Sequence, residues 1–511
     1  MPLFGVLVVV RGHDADWDFR NYHWYDAYAW LTGRRGFDLA VAHHATYYNP
    51  LADVPVYLAA QVMPAWLVGF LVGCVHGLNL LVLYRLAHHA LDARANTRSE
   101  WLALAIAVAG TTGGMFLILV GNASNDLTVS ILILLALLAI VRDEAAETTR
   151  RDLPRFVLAG LAVGSAIGLK LTMAPFAFGI ATGAFAMRAP LRNRLQRVAC
   201  IGAGGVIGAL AFGGAWAFAL WRETGNPFFP YFNDVIGSPL VLAASYRDER
   251  FLPHGIVEYL FYPFVFSAHG LRVNDNLFRD VKIALAYVLV PLAIAWAVAR
   301  RPRGVRVLTP AMQLLFTFAI VSYLVWMNIF GVYRYIVTLE ILAPLLIALA
   351  LTCAIADDVA RLRALAILWV VAVIGTGWPS VAAVDGHWRG RYVDVTHPLI
   401  ADPSHTLVVV AGLEPMGYIV PSFPPEIPFL RIDGWLDSPQ SHSAFGDRMR
   451  ARIDAHAGPI FGVFSEHERE RALAAFAADG LVLAANECDT ITSNVGEPLQ
   501  WCELERKSDG H

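Results

Sequence analysis

The chain has 511 residues, of which 57% are hydrophobic and 16% are charged, and its mean hydropathy is +0.52. This composition excludes an ordinary soluble protein and indicates a polytopic membrane protein. A net charge of −3 also excludes a strongly basic nucleic-acid-binding protein, so we expect no nucleic-acid partner.

The apolar start of the chain, Met1 to Val10, lacks the basic n-region and the small-residue cleavage site of a signal peptide. It is also too short to cross a bilayer, because a spanning helix needs about 20 apolar residues. We therefore expect either a first span shortened by a late start codon or a segment that enters only part of the membrane.

A polar run, residues 13–25, follows this apolar start. It places Asp14, Asp16 and Asp18 at alternating positions among tryptophan, tyrosine and histidine side chains. Three such carboxylates ordinarily belong to a solvated linker. At the edge of a membrane, however, neighbouring aromatic rings partly desolvate a carboxylate and raise its pKa toward the range of a general base. The run therefore predicts a catalytic base at Asp18 or Asp16.

Apolar runs then recur along the chain and predict, together with the N-terminal stub, about eleven membrane spans. A short interfacial helix, Asp53 to Ala60, precedes them. The runs are Pro64–Leu86, Trp101–Val120, Leu127–Val141, Phe156–Leu169, Ala174–Met187, Val198–Trp221, Val281–Ala299, Val307–Phe330, Tyr335–Ala356 and Ala364–Trp378. The two runs beside Lys170 are short, which predicts a tilted, broken or re-entrant pair.

Arginines concentrate in one alternating set of the connections between these runs. They are Arg85, Arg94, Arg98, Arg142, Arg150, Arg151, Arg155, Arg188, Arg192, Arg194, Arg197, Arg300, Arg301, Arg303, Arg306, Arg361 and Arg363. The other set holds only Lys170 and Arg334, apart from its long loops. Because basic connections stay in the cytoplasm, this asymmetry predicts that two loops, 11–63 and 222–280, and the C-terminal tail lie outside.

From about Gly386 the composition becomes that of a soluble domain. Leu407–Ala411, Pro459–Phe464 and Leu481–Ala485 have the pattern of short buried strands, and Glu466–Ala478 has that of a helix. The predicted fold class is therefore an all-α polytopic membrane domain over residues 1–385, with a small C-terminal α/β domain over residues 386–511. No nucleotide-binding fingerprint occurs in it.

Two of the five cysteines, Cys488 and Cys502, lie together in this tail. A turn-rich segment between them, residues 490–498, predicts a hairpin that brings its flanking strands together. In an oxidising external compartment we expect the two thiols to form a disulfide. No cysteine or histidine cluster has the spacing of a zinc site, so we predict no structural metal.

Four motifs carry a resemblance to a known family. They are Asp18-Phe19-x-x-Tyr22-x-x-Tyr25-x-Ala27 followed by Gly33-Arg34, the glycine-rich run from Gly160 through Lys170 to Thr172, Gly225-Asn226-Pro227-x-x-Pro230-x-x-Asn233, and Gly331-Val332-Tyr333-Arg334-Tyr335. The first two resemble polytopic membrane glycosyltransferases of the C superfamily (GT-C), and the last two resemble stretches of related membrane proteins. Within that superfamily, the chain is most similar to bacterial polyprenyl-phosphate-mannose-dependent mannosyltransferases. The resemblance covers residues 1–380.

The resemblance implies a polyprenyl-phosphate sugar as donor and an acidic base in the first external loop. The aspartate of the family motif corresponds to Asp18 in this sequence. A glycan or glycolipid would be the acceptor, membrane lipid a further partner, and inverting displacement the reaction. It implies no nucleotide and no cofactor, and it leaves metal dependence open. The expected location is a bacterial inner membrane, crossed several times, with the C-terminal domain in the periplasm.

Lys170 and Arg334 are the first candidates for binding the donor phosphate. Lys170 is one of three lysines in the chain and follows an apolar run, where a snorkelling lysine is the alternative. Arg334 suits bidentate phosphate contacts, with Glu340 as an expected charge partner, and a structural ion pair between them is the alternative. Arg247 and Arg250 are further phosphate candidates, although the charges around them are self-neutralising.

Polar side chains of the two long loops are candidates for substrate binding. They are Asn21, Tyr22, His23, His44, Asn49 and Asn233. Asn125 and Asp126, by contrast, have the pattern of an ordinary helix cap.

Two rival functions share parts of this pattern. An O-antigen ligase or polymerase has similar topology and long external loops, but the acidic first loop fits it poorly. A transporter or flippase for a lipid-linked sugar should show paired broken spans in two halves, and only the break near Lys170 is evident.

Overall fold

The computed structural model describes residues 1–91, 97–141, 152–300, 308–355, 357–377, 383–384, 388, 390–485 and 487–507. The predicted domain boundary at residues 385/386 lies outside these ranges. So do seven of the arginines used to predict orientation: Arg94, Arg142, Arg150, Arg151, Arg301, Arg303 and Arg306.

Helices dominate the chain as far as residue 377. They are α1 (Pro2–Arg11), α2 (Trp24–Thr32), α3 (Val54–Val62), α4 (Ala65–His76), α5 (Leu78–Ala90), α6 (Thr97–Gly110), α7 (Gly114–Leu119), α8 (Asp126–Ile140), α9 (Leu153–Leu169), α10 (Ala174–Ala186), α11 (Leu191–Ala209), α12 (Ala215–Thr224), α13 (Asn233–Ile236), α14 (Gly255–Ala268), α15 (Lys282–Arg300), α16 (Pro310–Ile329), α17 (Val337–Ala354) and α18 (Asp358–Gly375).

Five stretches among the described residues are long and apolar enough to cross a membrane. They are Ala65–Ala90, Leu191–Thr224, Lys282–Arg300, Pro310–Ile329 and Tyr333–Ala354. Six shorter apolar helices of 10–17 residues accompany them. The multi-pass character is thus established by length and composition, whereas the count of about eleven spans stays a prediction.

The predicted run Trp101–Val120 is not one helix. It divides into α6 and α7 at residues 111–113, where the hydroxyls of Thr111 and Thr112 donate to the carbonyls of Ala107 and Val108 at 2.9 Å. These side-chain bonds compete with the helical backbone ladder and end α6.

The stretch Tyr333–Ala354, which contains α17, is the most buried of the five candidate spans among the described residues, with 83% of its most apolar window buried. At one side of the bundle, α9 and α11 approach closely through glycines. A Cβ on Gly160 would lie 2.1 Å from the carbonyl oxygen of Ile201, and one on Gly164 would lie 2.0 Å from that of Gly205. The glycine-rich run therefore has a packing role, because small residues let two membrane helices touch along their backbones.

The C-terminal domain is built on strands β3 (Val395–Thr396), β4 (Leu407–Ala411), β5 (Phe429–Asp433), β6 (Ile460–Ser465), β7 (Leu481–Leu483), β8 (Asp489–Ser493) and β9 (Leu499–Arg506). Their order in the sheet is β3-β8-β9-β6-β4-β5, and β7 also pairs with β9. Strand β4 is parallel to β5 and β6, and the remaining pairs are antiparallel. Helices α19 (Ala444–Ala455) and α20 (Arg469–Ala478) complete the α/β fold.

The predicted hairpin and disulfide are confirmed. Strands β8 and β9 pair antiparallel, and Cys488 is bonded to Cys502 with their Cα atoms 4.6 Å apart. The pattern missed β5 and α19, because β5 includes Arg431 and Asp433 and α19 is mostly polar on its surface.

The first long loop, residues 11–63, is docked against the edge of this sheet. Leu39 forms a parallel bridge with Leu430 of β5, its amide donating to the carbonyl of Phe429 at 2.9 Å. Helix α2 ends at Gly33, whose φ of +71° is favoured by glycine and turns the chain toward Arg34. Two short strands, β1 (His13–Asp14) and β2 (Ala383–Val384), pair at the start of the same loop. The loop is thus held between the helices and the domain.

Candidate functional site

The three aspartates of the first loop form a chain of hydrogen bonds along the backbone. The amide of Ala123 donates to Asp14 Oδ2 at 2.8 Å, the amide of Asp16 donates to Asp14 Oδ1 at 3.0 Å, and that of Asp18 donates to Asp16 Oδ1 at 3.0 Å. Asp14 and Asp18 are buried and Asp16 is half-buried, so the run is not a solvated linker. Each carboxylate therefore orients the next residue of the run.

Asp18 forms an ion pair with Arg334, which comes from a turn before α17. The side chains of Asp18 and Arg334 are 12% and 24% exposed, so the pair is screened from bulk solvent but open to a ligand. Gly331 begins this turn with φ +69°, and a Cβ there would lie 2.1 Å from the carbonyl oxygen of Phe251. The turn therefore requires glycine.

A second cation lies beside this pair. Lys170 follows the last residue of α9 and forms an ion pair with the buried carboxylate of Asp126, its Nζ 2.9 Å from Oδ2. Its Nζ also donates to the carbonyl of Ser124 at 2.5 Å. The ring of Tyr335 has Lys170 Nζ at 5.7 Å and the Arg334 guanidinium at 5.5 Å from its centroid. The two predicted phosphate ligands therefore contact one ring.

The pKa values of the three carboxyl groups differ. Burial, followed by the nearby Asp16 charge, raises the pKa of Asp14 to about 7. Burial and then the charge of Asp18 raise the pKa of Asp16. Burial would also raise the pKa of Asp18, but Arg334 and, to a smaller extent, other nearby positive groups outweigh it and hold that pKa below its ordinary value. Among the three carboxyl groups of the run, Asp18 is therefore the one whose pKa lies below its ordinary value.

Aromatic side chains surround the ion pairs. The hydroxyls of Tyr48 and Tyr231 are hydrogen-bonded, and Tyr22 lies edge-on to Tyr48 with ring centroids 5.2 Å apart. Tyr231 is held in place by Asn226, whose side-chain amide donates to the backbone carbonyl of Tyr231 at 2.9 Å. Such rings exclude water and strengthen the electrostatic interactions between the charged groups.

His23 forms a polar cluster with Asp53 and Asn125 beside the site. The sequence patterns did not predict that these three residues meet. His23 Nδ1 is 2.8 Å from Asp53 Oδ1, to which the side-chain amide of Asn125 also donates at 2.5 Å. Asn125 makes no side-chain cap on α8, and Asp126 pairs with Lys170. Asn125 thus occupies the N-cap position of α8, as the cap interpretation predicted, but the side chains of Asn125 and Asp126 bind Asp53 and Lys170 instead of capping the helix.

The predicted asparagines bind backbone groups. Asn21 donates to the carbonyl of Ala42 at 3.2 Å. Asn49 donates to the carbonyls of Gly168 and Phe212, both at 2.7 Å, and so ties the first loop to the C-terminal end of α9. Asn233 donates to three carbonyls between residues 238 and 242. Their side chains shape the loops around the site.

Arg247 and Arg250 are exposed and lie in an acidic setting. Arg247 pairs with Glu249 at 2.8 Å, and Arg250 pairs with Asp248 at 2.6 Å and with Asp275 at 3.7 Å. These contacts agree with the self-neutralising alternative.

Glu340 is not the partner of Arg334, and that expectation was wrong. Its carboxylate accepts hydrogen bonds from the amides of Met115 and Phe116 at the start of α7, at 3.2 and 3.0 Å. It lies one helical turn into α17, which turns it toward the start of α7.

Several residues of the site were missed by the sequence patterns, notably Asp53, Asp126, Tyr48, Tyr231 and Tyr335. The signal that could have found Asp126 is its position as a carboxylate at the start of an apolar helix, since ionisable groups there are functional candidates. Among the described residues, no group of three or more histidine, cysteine or acidic side chains is placed to hold a metal ion.

No family model matches the sequence, and no curated protein matches it. Solved structures do match. ArnT from Cupriavidus metallidurans in the apo state aligns with 14% identity and a TM-score of 0.55, covering 98% of this chain and 96% of that one. The same ArnT bound to undecaprenyl phosphate aligns with 16% identity and a TM-score of 0.47, covering 73% of this chain and 62% of that one. The apo oligosaccharyltransferase of Archaeoglobus fulgidus aligns with 11% identity and a TM-score of 0.48, covering 94% and 70%.

The chain therefore has the fold of a GT-C membrane glycosyltransferase, which confirms, at the level of the fold, the resemblance carried by its motifs. It shares this fold over nearly its whole length with ArnT of Cupriavidus metallidurans.

Proposed function

We propose that this chain is an integral-membrane glycosyltransferase that moves a sugar from a polyprenyl-phosphate donor to a lipid-linked or cell-envelope glycan acceptor. Transfer takes place on the periplasmic face of a bacterial inner membrane, where the C-terminal domain also lies. The observation that carries the proposal is the Asp18–Arg334 ion pair beside Lys170. A carboxylate and two cations in one aromatic pocket are the groups that transfer from a sugar phosphate requires.

Asp18 acts as the general base in this reaction. It takes the proton of the acceptor hydroxyl while that oxygen attacks the anomeric carbon, and the bond from that carbon to the phosphate oxygen breaks. A single in-line displacement of this kind inverts the anomeric centre. The lowered pKa of Asp18 means that the carboxylate is ionised before the substrates bind.

Arg334 and Lys170 stabilise the leaving polyprenyl phosphate. Negative charge grows on its oxygens in the transition state, and fixed positive groups in a water-poor pocket stabilise that charge more than they stabilise the ground state. Both side chains contact Tyr335, so one phosphate near this ring is within reach of both.

Donor binding also changes the base. When the donor phosphate takes up contacts of Arg334, Asp18 loses part of its counter-charge, and its pKa rises toward the range in which it accepts a proton well. The base thereby becomes most effective once the donor is in place.

The fold shared with ArnT supports the proposal, and ArnT itself has been solved with undecaprenyl phosphate bound. The decisive experiment incubates the purified protein with radiolabelled polyprenyl-phosphate sugars and a mixture of membrane glycolipid acceptors. Release of free polyprenyl phosphate together with a labelled acceptor is the expected result. Movement of the labelled donor between leaflets, without cleavage of the sugar–phosphate bond, would contradict the proposal and identify a flippase.

A further inference from the structure

A row of aromatic rings runs from the C-terminal domain toward Asp18. Trp17, between the two candidate bases, stacks on Trp435 with centroids 4.8 Å apart and planes at 17°. Trp435 stacks in turn on His44 at 6.1 Å. His44 lies edge-on to Tyr48 and Tyr231 at 5.9 and 6.2 Å. These rings join the domain to the catalytic loop, and the proposed function does not use the Trp17–Trp435 end of the row.

Trp435 is held in place but remains open to a ligand. It follows β5, and its amide donates to Nδ1 of His43 at 3.2 Å, which joins the domain to the first loop. The preceding Gly434 is also fixed, its amide donating to the carbonyl of Asp437 at 2.9 Å. Even so, 47% of Trp435 is exposed. A large ring that is fixed and half-exposed is suited to bind the flat face of another molecule.

His44 supplies a polar group on the same row. The half-buried ring makes no hydrogen bond to any residue that the structure describes, although the charges of Asp18 and Asp248 act on it. Burial lowers the pKa of His44 to about 4, so its imidazole is neutral at physiological pH. A neutral imidazole has one donor and one acceptor nitrogen, which matches a hydroxyl group.

We infer that Trp17, His44 and Trp435 form a subsite for a pyranose ring of the acceptor. This inference rests on the proposed function. Pyranose rings have apolar C–H faces that pack on aromatic rings and hydroxyl groups at their edges. Trp17 and His43 stack against Trp435 and fix it, the exposed part of the Trp435 ring matches a pyranose face, and His44 matches the edge. Trp17 is next to Asp18 in the chain and the charge of Asp18 acts on His44, so a sugar in this subsite would present a hydroxyl toward the proposed base.

The surroundings favour a sugar over a lipid chain as the occupant. Asp16 and Asp18 flank Trp17, and Asp248 lies near His44. Burying an acyl or prenyl chain against these carboxylates would desolvate them without compensation. Sugar hydroxyls, in contrast, donate hydrogen bonds to carboxylates.

The test is binding of simple sugars to the full-length protein in a detergent without a sugar head group, such as lauryldimethylamine oxide. The probes are the methyl pyranosides of glucose, galactose, mannose and N-acetylglucosamine, with farnesyl phosphate in a separate arm, all followed by saturation-transfer NMR. We expect at least one pyranoside to bind. Trp435→Ala should weaken that binding about tenfold or more, whereas Trp435→Phe, which keeps a ring, should retain most of it.

Trp66→Ala is the matched control, since Trp66 in α4 is 46% exposed and lies on a membrane helix. It should leave pyranoside binding unchanged. The inference is overturned if no pyranoside binds to the wild-type protein, if Trp435→Ala and His44→Ala bind pyranosides as the wild type does, or if Trp435→Ala loses farnesyl phosphate instead. The binding assay does not depend on donor turnover. If the protein transfers sugar but binds no pyranoside, this subsite is overturned and the proposed function stands. Sugar binding without any transfer overturns the acceptor role together with the proposed function.

Discussion

Asp18 and Arg334 lie 316 residues apart in the chain, and their side chains form the ion pair at the centre of the site. Asp16 is only two residues from Asp18 but has a different environment, since its carboxylate accepts a hydrogen bond from the backbone amide of Asp18. Neighbouring aspartates therefore have different tasks: Asp16 orients the backbone, whereas Asp18 faces the cations.

Asp18→Asn should abolish most transfer while leaving the fold intact. The amide keeps the shape of the carboxylate but cannot take the acceptor's proton, and loss of a general base typically costs about 10²–10⁴ in rate. Turnover of labelled donor at saturating acceptor is the measurement, with donor binding followed separately and expected to survive.

Asp16→Asn is the matched control. Its remaining carbonyl oxygen can still accept the amide of Asp18, so we expect substantial activity. If Asp18→Asn turns over normally while Asp16→Asn is inactive, Asp16 is the base. If both variants turn over normally, the base lies elsewhere.

Lys170 and Arg334 should affect use of the donor more than folding. Arg334→Ala and Lys170→Ala each remove a charge-assisted contact, and we expect the KM for the polyprenyl-phosphate sugar to rise or the turnover to fall by about tenfold or more. Unchanged donor turnover in both variants, at normal expression, would contradict the assignment.

The buried Asp126 complicates the lysine variant, because an unpaired buried carboxylate destabilises the fold. Lys170→Ala combined with Asp126→Asn removes both charges. We expect this double variant to recover thermal stability but not donor turnover. Recovery of turnover together with stability would show that Lys170 has only a structural role.

At the scale of elements, the contact between α9 and α11 places Lys170 at the edge of the site. Gly164 has no room for a side chain, since a Cβ would lie 2.0 Å from the carbonyl oxygen of Gly205. Gly202, on α11, has room for a methyl group, because no atom lies within 4 Å of the position that its Cβ would take.

Gly164→Ala should lower thermal stability by about 1–3 kcal/mol, because the two helices must separate to accept the methyl group. Gly202→Ala is the control and should be neutral or slightly stabilising, since alanine favours a helix. Melting temperatures of both variants in detergent provide the measurement. Equal stability of the two variants would contradict the close contact.

The disulfide stabilises the C-terminal hairpin at the same scale. Replacing Cys488 and Cys502 by serine should destabilise the domain by about 3 kcal/mol, which is the effect expected for closing a short loop. Cys200→Ser, at a free and half-buried cysteine, is the control and should have little effect. Thiol alkylation of the folded protein without reductant should modify neither Cys488 nor Cys502.

For the whole molecule, the decisive contact is between the first loop and the C-terminal domain. Arg34 forms an ion pair with Asp38, its Nε 2.6 Å from Oδ2, and donates to the carbonyls of Pro425 and Ile427 at 2.6 and 2.5 Å. Asp38 in turn accepts the amide of Phe429 at 2.9 Å. This buried network holds the first loop against the sheet.

Arg34→Ala should loosen that docking, since it leaves the buried Asp38 carboxylate without its charge partner and two carbonyls without the Arg34 donor. Breaking a buried ion pair in this way typically costs about 3–5 kcal/mol. We expect faster limited proteolysis of the first loop and lower transfer activity. Arg448→Ala, at an exposed position of α19, is the control and should change neither. Normal proteolytic resistance of Arg34→Ala would contradict a docking role.

Local patterns determined the apolar helices, the α/β character of the tail, and the hairpin with its disulfide. Each of these depends on hydropathy, turn residues or spacing within a short stretch, and such signals survive in a single sequence. The motifs also indicated the GT-C fold, and they marked Asp18, Lys170 and Arg334 as residues of interest.

Only the tertiary structure decided which of these residues meet. Arg334 pairs with Asp18 rather than with Glu340, and Lys170 pairs with Asp126, because helices far apart in the chain bring their ends together around Tyr335. The chain order also does not predict that Trp435 stacks on Trp17. That contact depends on how the sheet docks on the first loop, and docking is set by buried hydrogen bonds between residues distant in sequence.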